Sequence, residues 1–144
     1  IGDIHTPGLI KQVKQHAAKQ GYVIIDAPPG TSCPVIEAVK GADFVLLVTE
    51  PTPFGLNDLK LAVGMVRELK LPFAVAINRS DIGDDQVQGY CDEEHIEVVL
   101  KIPDDRRIAE VYSVGEMVIE ALPGYQKKFA DLCERLKMTE DQVS

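Results

Sequence analysis

Residues 44–78 read FVLLVTEPTPFGLNDLKLAVGMVRELKLPFAVAIN, and this stretch carries the pattern that decides the fold. It begins and ends with short runs, FVLLVT and FAVAIN, that are apolar on both faces, which indicates strands buried between two layers. Between the two runs, apolar residues recur at helical spacing, namely Leu56, Leu59, Val63, Val66 and Leu69. A strand, a helix and a second strand in this order predict a parallel βαβ unit.

The same alternation continues on both sides of this unit. We expect further strands at 22–26 (YVIID) and 98–102 (VVLKI), and helices at 7–21, 34–40, 84–95 and 105–110. A terminal helix is indicated by a stripe of four apolar residues, Tyr125, Phe129, Leu132 and Leu136. The sequence therefore predicts an α/β fold with three layers, α/β/α, around a mainly parallel sheet, in which residues 1–144 form a single domain.

The composition is typical of a folded domain. The 144 residues are 45% hydrophobic and 26% charged, so the chain can bury enough apolar surface to offset its ordering entropy, and a disordered class is excluded. A net charge of −8 disfavours binding to nucleic acid or to anionic lipid. Three widely spaced cysteines do not form a disulfide framework. We expect a cytoplasmic protein without a secretory leader or a membrane span.

Polar and rigid residues gather after each predicted strand. Ligand sites of parallel α/β sheets lie at the carboxyl ends of the strands. We therefore expect a ligand site formed from four segments, 26–30, 49–54, 78–81 and 103–107.

The first of these segments continues to residue 31 and reads DAPPGT. A carboxylate at the tip of an apolar strand, here Asp26, can hold Mg²⁺ directly or through its waters. Because Gly30 has no Cβ, its backbone N–H can approach a terminal phosphate closely. Pro28 and Pro29 stiffen the turn between them. The structural alternative is that Asp26 only caps this turn.

The segment 78–81 reads NRSD and offers groups that suit a purine base. The Asn78 amide carries both a donor and an acceptor. Its spacing to Asp81 also mimics a string of GTPases in which a carboxylate accepts two N–H groups of guanine, so the identity of the base stays open. The structural alternative is a turn whose polar side chains satisfy the backbone.

The remaining two segments carry prolines. In KIPDD, at 101–105, the backbone can turn toward a base, although helix N-capping by Asp104 or Asp105 explains the same residues. In TEPTP, at 49–53, the rigid loop can frame a pocket or simply connect a strand to a helix. Cys33 offers a thiol near Gly30, but a lone cysteine is more often inert packing.

Three strings follow one another between residues 22 and 121: YVIIDAPPGTSCPVIEAVKGADFVLLVTEPTPFGLNDLKLA, FAVAINRSD and KIPDDRRIAEVYSVGEMVIEA. They resemble the MinD/ParA/Mrp-like ATPases, which are P-loop NTPases of the SIMIBI type with a deviant Walker A motif. The resemblance is greatest to the MinD-like branch that carries an inserted ferredoxin domain. The family's P-loop, a Lys-Gly-Gly-x-Gly-Lys-Thr type string, does not occur in the 144 residues. The chain thus resembles the C-terminal portion of such an ATPase domain.

The resemblance implies roles for individual residues. Asp26 would lie near Mg²⁺, through water, and Gly30 beside the γ-phosphate, which makes them the two implied catalytic positions. The implied nucleotide-binding residues are Pro28, Pro29, Asn78, Arg79, Pro103 and Asp104. The implied cofactors are ATP and Mg²⁺, with a 4Fe–4S cluster in an upstream insert. The implied partners are a second copy of the protein and an iron–sulfur or redox protein.

Because these residues contain no P-loop, we expect different activities of the intact protein and of this chain alone. We expect the intact protein to be an ATP-hydrolysing switch, linked to iron–sulfur cluster handling or electron transfer, and these 144 residues alone to be inactive. One alternative is a non-catalytic binding or scaffold module with the same fold. Another is a GTPase, which the spacing of Asn78 and Asp81 keeps open. A receiver domain is disfavoured because Asp26 has no acidic neighbour on its strand.

Overall fold

The computed structural model of the protein describes residues 21–140, and side chains to residue 136. Nine elements follow one another along this part of the chain. They are α1 (Cys33–Val39), β1 (Val45–Thr49), α2 (Pro53–Glu68), β2 (Phe73–Asn78), α3 (Gln86–Glu93), β3 (Val98–Ile102), α4 (Arg106–Ser113), α5 (Val118–Ala121) and α6 (Pro123–Glu140). The predicted helix at 7–21 lies outside the described residues, except for its last residue.

The three strands form one parallel sheet in the order β1-β2-β3. Val45 pairs with Phe73 and Thr49 with Ile77, while Asn78 pairs with Ile102 on the other side of β2. Strands β2 and β3 have the predicted bounds, and β1 begins one residue later than predicted. Because each parallel step needs a crossover, helices α2 and α3 connect the strands.

Helices cover both faces of the sheet. On one face, α2 and α3 enclose a buried cluster with β2, namely Leu59, Val63, Val75, Ile77, Val87, Cys91 and Ile96. On the other face, Leu132 of α6 packs with Ala76 and Leu100, flanked by Phe129 and Leu136. Alternate residues of β2 therefore point to opposite layers, as the pleat of a strand requires. The predicted three-layer α/β/α architecture is confirmed.

Helix α2 begins where the sequence places a cap. Thr52 is the N-cap residue, its hydroxyl oxygen accepts the Gly55 N–H at 3.0 Å, and Pro53 occupies the first helical position. Proline is favoured there because that backbone nitrogen has no partner inside the helix. Capping by Thr52 and the apolar stripe together explain why this helix is the longest between two strands.

The predicted strand at 22–26 is wrong. Residues 22–28 adopt no regular secondary structure, and the side chain of Ile24 is 94% exposed. A strand forms only when a neighbour satisfies its backbone groups, and the apolar run has no paired neighbour in the described sheet. The sequence also did not predict α5, a single turn whose four residues show no buried side chain.

Candidate functional site

The carboxyl ends of β1, β2 and β3 lie side by side at one edge of the sheet. They bring together three of the four predicted segments, those that follow Thr49, Asn78 and Ile102. Parallel pairing enforces this, because every strand runs in the same direction and ends at the same edge. We refer to this edge, built from residues 49–52, 78–81 and 102–105, as the strand-end cluster.

Arg79 links two of these segments. Its Nε donates to the Asp104 carboxylate at 3.0 Å, and its guanidinium lies 3.9 Å from the Glu50 carboxylate. The hydrogen bond from Arg79 to Asp104 and the charge of that carboxylate raise the pKa of Arg79 further above its ordinary value. Arg79 has a positive φ of 51°, a conformation that turns the chain sharply after β2.

The loop after β3 is fastened to the turn after β2 by two further bonds. The Ser80 backbone N–H donates to the Ile102 carbonyl at 2.8 Å. The Asp104 backbone N–H donates to the Asp81 carboxylate at 2.6 Å. Asp81 is therefore engaged in holding the 103–105 loop, which is the structural alternative that the sequence left open for it.

Asn78 lies at the centre of the strand-end cluster and is half-buried. Its amide nitrogen is 3.5 Å from the Glu50 carboxylate, a long hydrogen bond across the ends of β1 and β2. Glu50 did not appear among the predicted binding residues. The only sequence signal for it was its place in the rigid 49–53 loop directly after a strand.

The 49–53 loop is itself held from two directions. The Thr49 hydroxyl donates to the Gly55 carbonyl at 3.0 Å, and the Thr52 N–H donates to the Glu50 carbonyl at 2.8 Å. From the other side, Gly83 packs so closely that a Cβ there would collide with the Pro51 carbonyl. The backbone of the loop is therefore held in place along one side of the strand-end cluster, and we call it the wall of the cluster.

Asp105, and not Asp104, is the N-cap residue of α4. The Asp105 carboxylate accepts the Arg107 backbone N–H at 3.0 Å and pairs with its guanidinium at 2.6 Å. It also accepts the hydroxyl of the buried Tyr125 at 2.9 Å. These bonds, above all those from Arg107, hold the pKa of Asp105 well below its usual range. Sequence reasoning missed Tyr125 here, because its position in the α6 stripe only indicated packing.

The depressed pKa of Asp105 predicts a pH dependence of stability. A carboxyl whose pKa is lower in the folded state stabilises that state above the pKa of the unfolded chain, about 3.9, and this contribution is lost as the pH falls further. We expect the urea midpoint of Asp105→Asn to fall less steeply than wild type below about pH 4. Asparagine still caps the helix, while the charge and the bonds that the second carboxylate oxygen accepts from Arg107 and Tyr125 are lost. Asp131→Asn, at an exposed position of α6, is the matched control and should keep the wild-type slope.

Asp26, Pro28, Pro29 and Gly30 lie outside this cluster. All four are exposed, and no hydrogen bond or ion pair joins Asp26 to the strand-end cluster within residues 21–140. Gly30 has a φ of 92°, a conformation that side chains disfavour, so glycine is required there. The structure thus brings the predicted base-binding residues together, while Asp26 makes no hydrogen bond or ion pair with them among the described residues.

No protein-family model matches the sequence. An uncharacterized protein of Methanocaldococcus jannaschii is 35% identical over 122 residues, which are 83% of this chain and 42% of that protein. The iron–sulfur cluster carrier protein of Pyrococcus horikoshii is 27% identical over 132 residues, 80% of this chain and 44% of the carrier. The solved structure of the MinD cell division protein of Aquifex aeolicus matches with a TM-score of 0.67 at 22% identity, over 92% of this chain and 59% of MinD.

The chain is similar in sequence to iron–sulfur cluster carrier proteins and in fold to MinD, in agreement with the predicted resemblance to the MinD/ParA/Mrp-like P-loop ATPases. The fold shared with MinD confirms the predicted class of α/β domain. This MinD/Mrp-like chain spans less than half the length of the two curated relatives described above.

The described residues of this MinD/Mrp-like chain do not form a complete magnesium site by themselves. Mg²⁺ is commonly held by one or two carboxylates together with substrate phosphates and water, which a single exposed Asp26 satisfies. Within residues 21–140, no group of three or more His, Cys, Asp or Glu side chains is arranged to hold a metal ion.

The cysteines of this MinD/Mrp-like chain do not fit an iron–sulfur cluster. A 4Fe–4S cluster needs several thiolates around one point. Cys33 and Cys133 are exposed, and Cys91 is buried on α3, where burial raises the pKa of its thiol. The described part of the chain thus offers no cluster site. None of its helices is both long and apolar enough to cross a membrane.

Proposed function

We propose that this MinD/Mrp-like chain is the part of a Mg·ATP-binding, ATP-hydrolysing switch protein that holds the adenine base and senses the γ-phosphate. The observation that carries the proposal is the meeting of Asn78, Arg79 and Asp104 at the carboxyl edge of the sheet. Ligands of open α/β sheets bind at that edge. The resemblance to the MinD/ParA/Mrp-like ATPases supports a nucleotide as the ligand.

The charge of the strand-end cluster favours a base over phosphates. The cluster holds four carboxylates, from Glu50, Asp81, Asp104 and Asp105, but only one guanidinium group, that of Arg79, while Arg107 pairs with Asp105 from the first turn of α4. An excess of negative charge repels the phosphate chain. The uncharged base can instead use the Asn78 amide and the backbone of the Pro103–Asp104 loop, which Arg79 and Asp81 hold in position.

We assign the phosphate end to the segment 26–30. Gly30, with its positive φ, can present its backbone N–H to a γ-phosphate, while Pro28 and Pro29 limit the movement of the turn. Asp26 would hold a magnesium-bound water. Mg²⁺ there would neutralise charge on the β- and γ-phosphates. The Gly-Lys-Thr loop that completes such a site would come from a part of the protein beyond these 144 residues.

The proposal extends to the role of the nucleotide cycle. A relative from Pyrococcus horikoshii is named an iron–sulfur cluster carrier, which supports cluster handling as the task that ATP drives here. The cluster would bind outside the described residues, since their cysteines lie apart. We further propose that the intact protein acts as a cytoplasmic homodimer that passes its cluster to an iron–sulfur or redox protein.

Equilibrium binding of Mg·ATP to the full-length protein tests this function. Asn78→Ala should weaken ATP binding about tenfold, the equivalent of one to two hydrogen bonds. Asn57→Ala removes an exposed amide from α2 and is the matched control, with unchanged affinity expected. Unfolding curves of both variants check that the fold is kept.

Two results would contradict the proposal. Full-length protein that binds no adenine nucleotide would favour the scaffold module instead. Equal affinities of Asn78→Ala and wild type would remove the strand-end cluster from the nucleotide site. For cluster handling, the iron and sulfide content after anaerobic reconstitution of the full-length protein is the direct measurement.

A further inference from the structure

Glu50 meets Asn78 across the ends of β1 and β2. The Asn78 amide nitrogen lies 3.5 Å from one Glu50 carboxylate oxygen, and the Arg79 guanidinium lies 3.9 Å from the other. Neither the resemblance nor the sequence pattern assigned Glu50 a role in binding.

A carboxylate next to an amide decides which way the amide points. An ionised carboxylate can only accept hydrogen bonds, and of the two ends of an asparagine amide only the nitrogen donates. The Asn78 nitrogen therefore faces Glu50, and its carbonyl oxygen is directed away from it. This orientation follows from chemistry, independently of how the two atoms are distinguished.

The exposed end of the amide then distinguishes the two purines. Adenine carries a donor at its exocyclic N6, while guanine carries an acceptor, O6, at the equivalent position. An asparagine oxygen facing the base accepts from adenine but opposes the oxygen of guanine. With its amide reversed, the same asparagine would favour guanine.

The surroundings keep Glu50 in this position. The Thr52 N–H holds the Glu50 carbonyl at 2.8 Å, and Gly55 packs so closely that a Cβ would collide with that carbonyl oxygen. The backbone of Glu50 is thus fixed on the strand-end wall while its side chain faces Asn78.

Asp81 is already engaged with the loop after β3. A carboxylate that reads guanine uses both oxygens, one for each of two N–H groups of the base. One oxygen of Asp81 already accepts the Asp104 backbone N–H at 2.6 Å. Asp81 therefore holds the loop after β3, although its spacing to Asn78 mimics a guanine-reading string.

We propose that Glu50 is a positioning residue that orients the Asn78 amide and thereby makes the site select adenine over guanine. This specificity rests on the proposed nucleotide-binding function of the same cluster. Glu50 contacts Asn78 and not the base, so it acts on the ratio of affinities for the two nucleotides.

Competition between Mg·ATP and Mg·GTP for the full-length protein tests the proposal. Glu50→Gln replaces an acceptor by a group that both donates and accepts, so the Asn78 amide can turn over. We expect the ATP-to-GTP affinity ratio to fall about tenfold, the equivalent of one hydrogen bond. Glu50→Asp keeps the charge but withdraws the carboxylate by one methylene from an amide that is already 3.5 Å away, so it should also lower the ratio. Glu68→Gln removes an exposed carboxylate from the end of α2 and should leave the ratio unchanged.

The side-chain amide of Asn78 gives a second measurement that needs no nucleotide. In ¹⁵N–¹H spectra of the full-length protein without nucleotide, Glu50→Gln should shift the Asn78 side-chain amide signals, while Glu68→Gln should not. This measurement reports the contact itself.

The outcomes separate the two proposals. An equal loss of ATP and GTP affinity in Glu50→Gln, or an unchanged ratio, would show that Glu50 only supports the loop and would overturn its role in selectivity. A wild-type protein that binds neither nucleotide would overturn the proposed function and the selectivity with it, while the amide signals still show whether Glu50 orients Asn78. A GTP preference that Asp81→Asn abolishes would assign base reading to Asp81 instead.

Discussion

Leu59→Ala is expected to lower the free energy of unfolding by about 2–5 kcal/mol. Leu59 lies on α2, is 3% exposed and belongs to the cluster that joins α2 and α3 to β2. Truncation removes buried apolar surface and leaves a cavity that closely packed neighbours such as Val63 and Val75 can fill only in part. Urea unfolding followed by circular dichroism measures the loss.

Leu61→Ala is the matched control for this prediction. Leu61 lies on the same helix but is 56% exposed, so the same chemical change removes little buried surface. We expect its free energy of unfolding to stay within about 0.5 kcal/mol of wild type. Similar losses in the two variants would show that α2 does not pack through the Leu59 face.

Gly83→Ala is expected to destabilise the protein by about 2–4 kcal/mol. Gly83 has a φ of 82°, and a Cβ would collide with the Pro51 carbonyl. The first feature imposes a backbone cost on any L-residue, and the second forces apart the turn after β2 and the loop after β1. Because this contact braces the wall that carries Glu50, the variant should also weaken nucleotide binding by the full-length protein.

Gly115→Ala separates the two costs. Gly115 has a similar φ of 78°, but nothing lies within 4 Å of the position of an added Cβ. Its loss should be only the backbone part, about 1–2 kcal/mol. If Gly115→Ala were as destabilising as Gly83→Ala in urea, close packing on Pro51 would play no part.

Sequence patterns correctly predicted the helices and strands that depend on interactions within a few residues. Strands β2 and β3 have the predicted bounds because their apolar runs are short and end at polar or rigid residues. The start of α2 was visible in Thr52 and Pro53, since N-caps act within a few residues. The prediction of a strand at 22–26 was wrong because a strand depends on a neighbouring strand that lies far away in the sequence. Its apolar run describes what the segment could bury and does not provide the neighbour that a strand needs.

The candidate site was predictable only in part. Asn78, Arg79 and Asp104 could be expected together, because parallel strands end at one edge. The partners that orient them could not be expected, since Glu50 lies 28 residues from Asn78 and Tyr125 lies 20 residues from Asp105 along the chain. Each of these side chains also fits a plain structural role in its own segment. No local signal therefore indicated that they contact residues of the candidate site.

The sequence by itself determined the βαβ order, the apolar layers and the edge of the sheet at which polar residues collect, because periodicity and chain direction are properties of the chain alone. Only the tertiary structure decided that Asp105 rather than Asp104 caps α4, that Asp81 holds a backbone N–H, and that Glu50 faces the Asn78 amide. The physical reason is that hydrogen bonds act over about 3 Å. Which donors and acceptors come within that distance depends on the packing of segments that are remote in sequence.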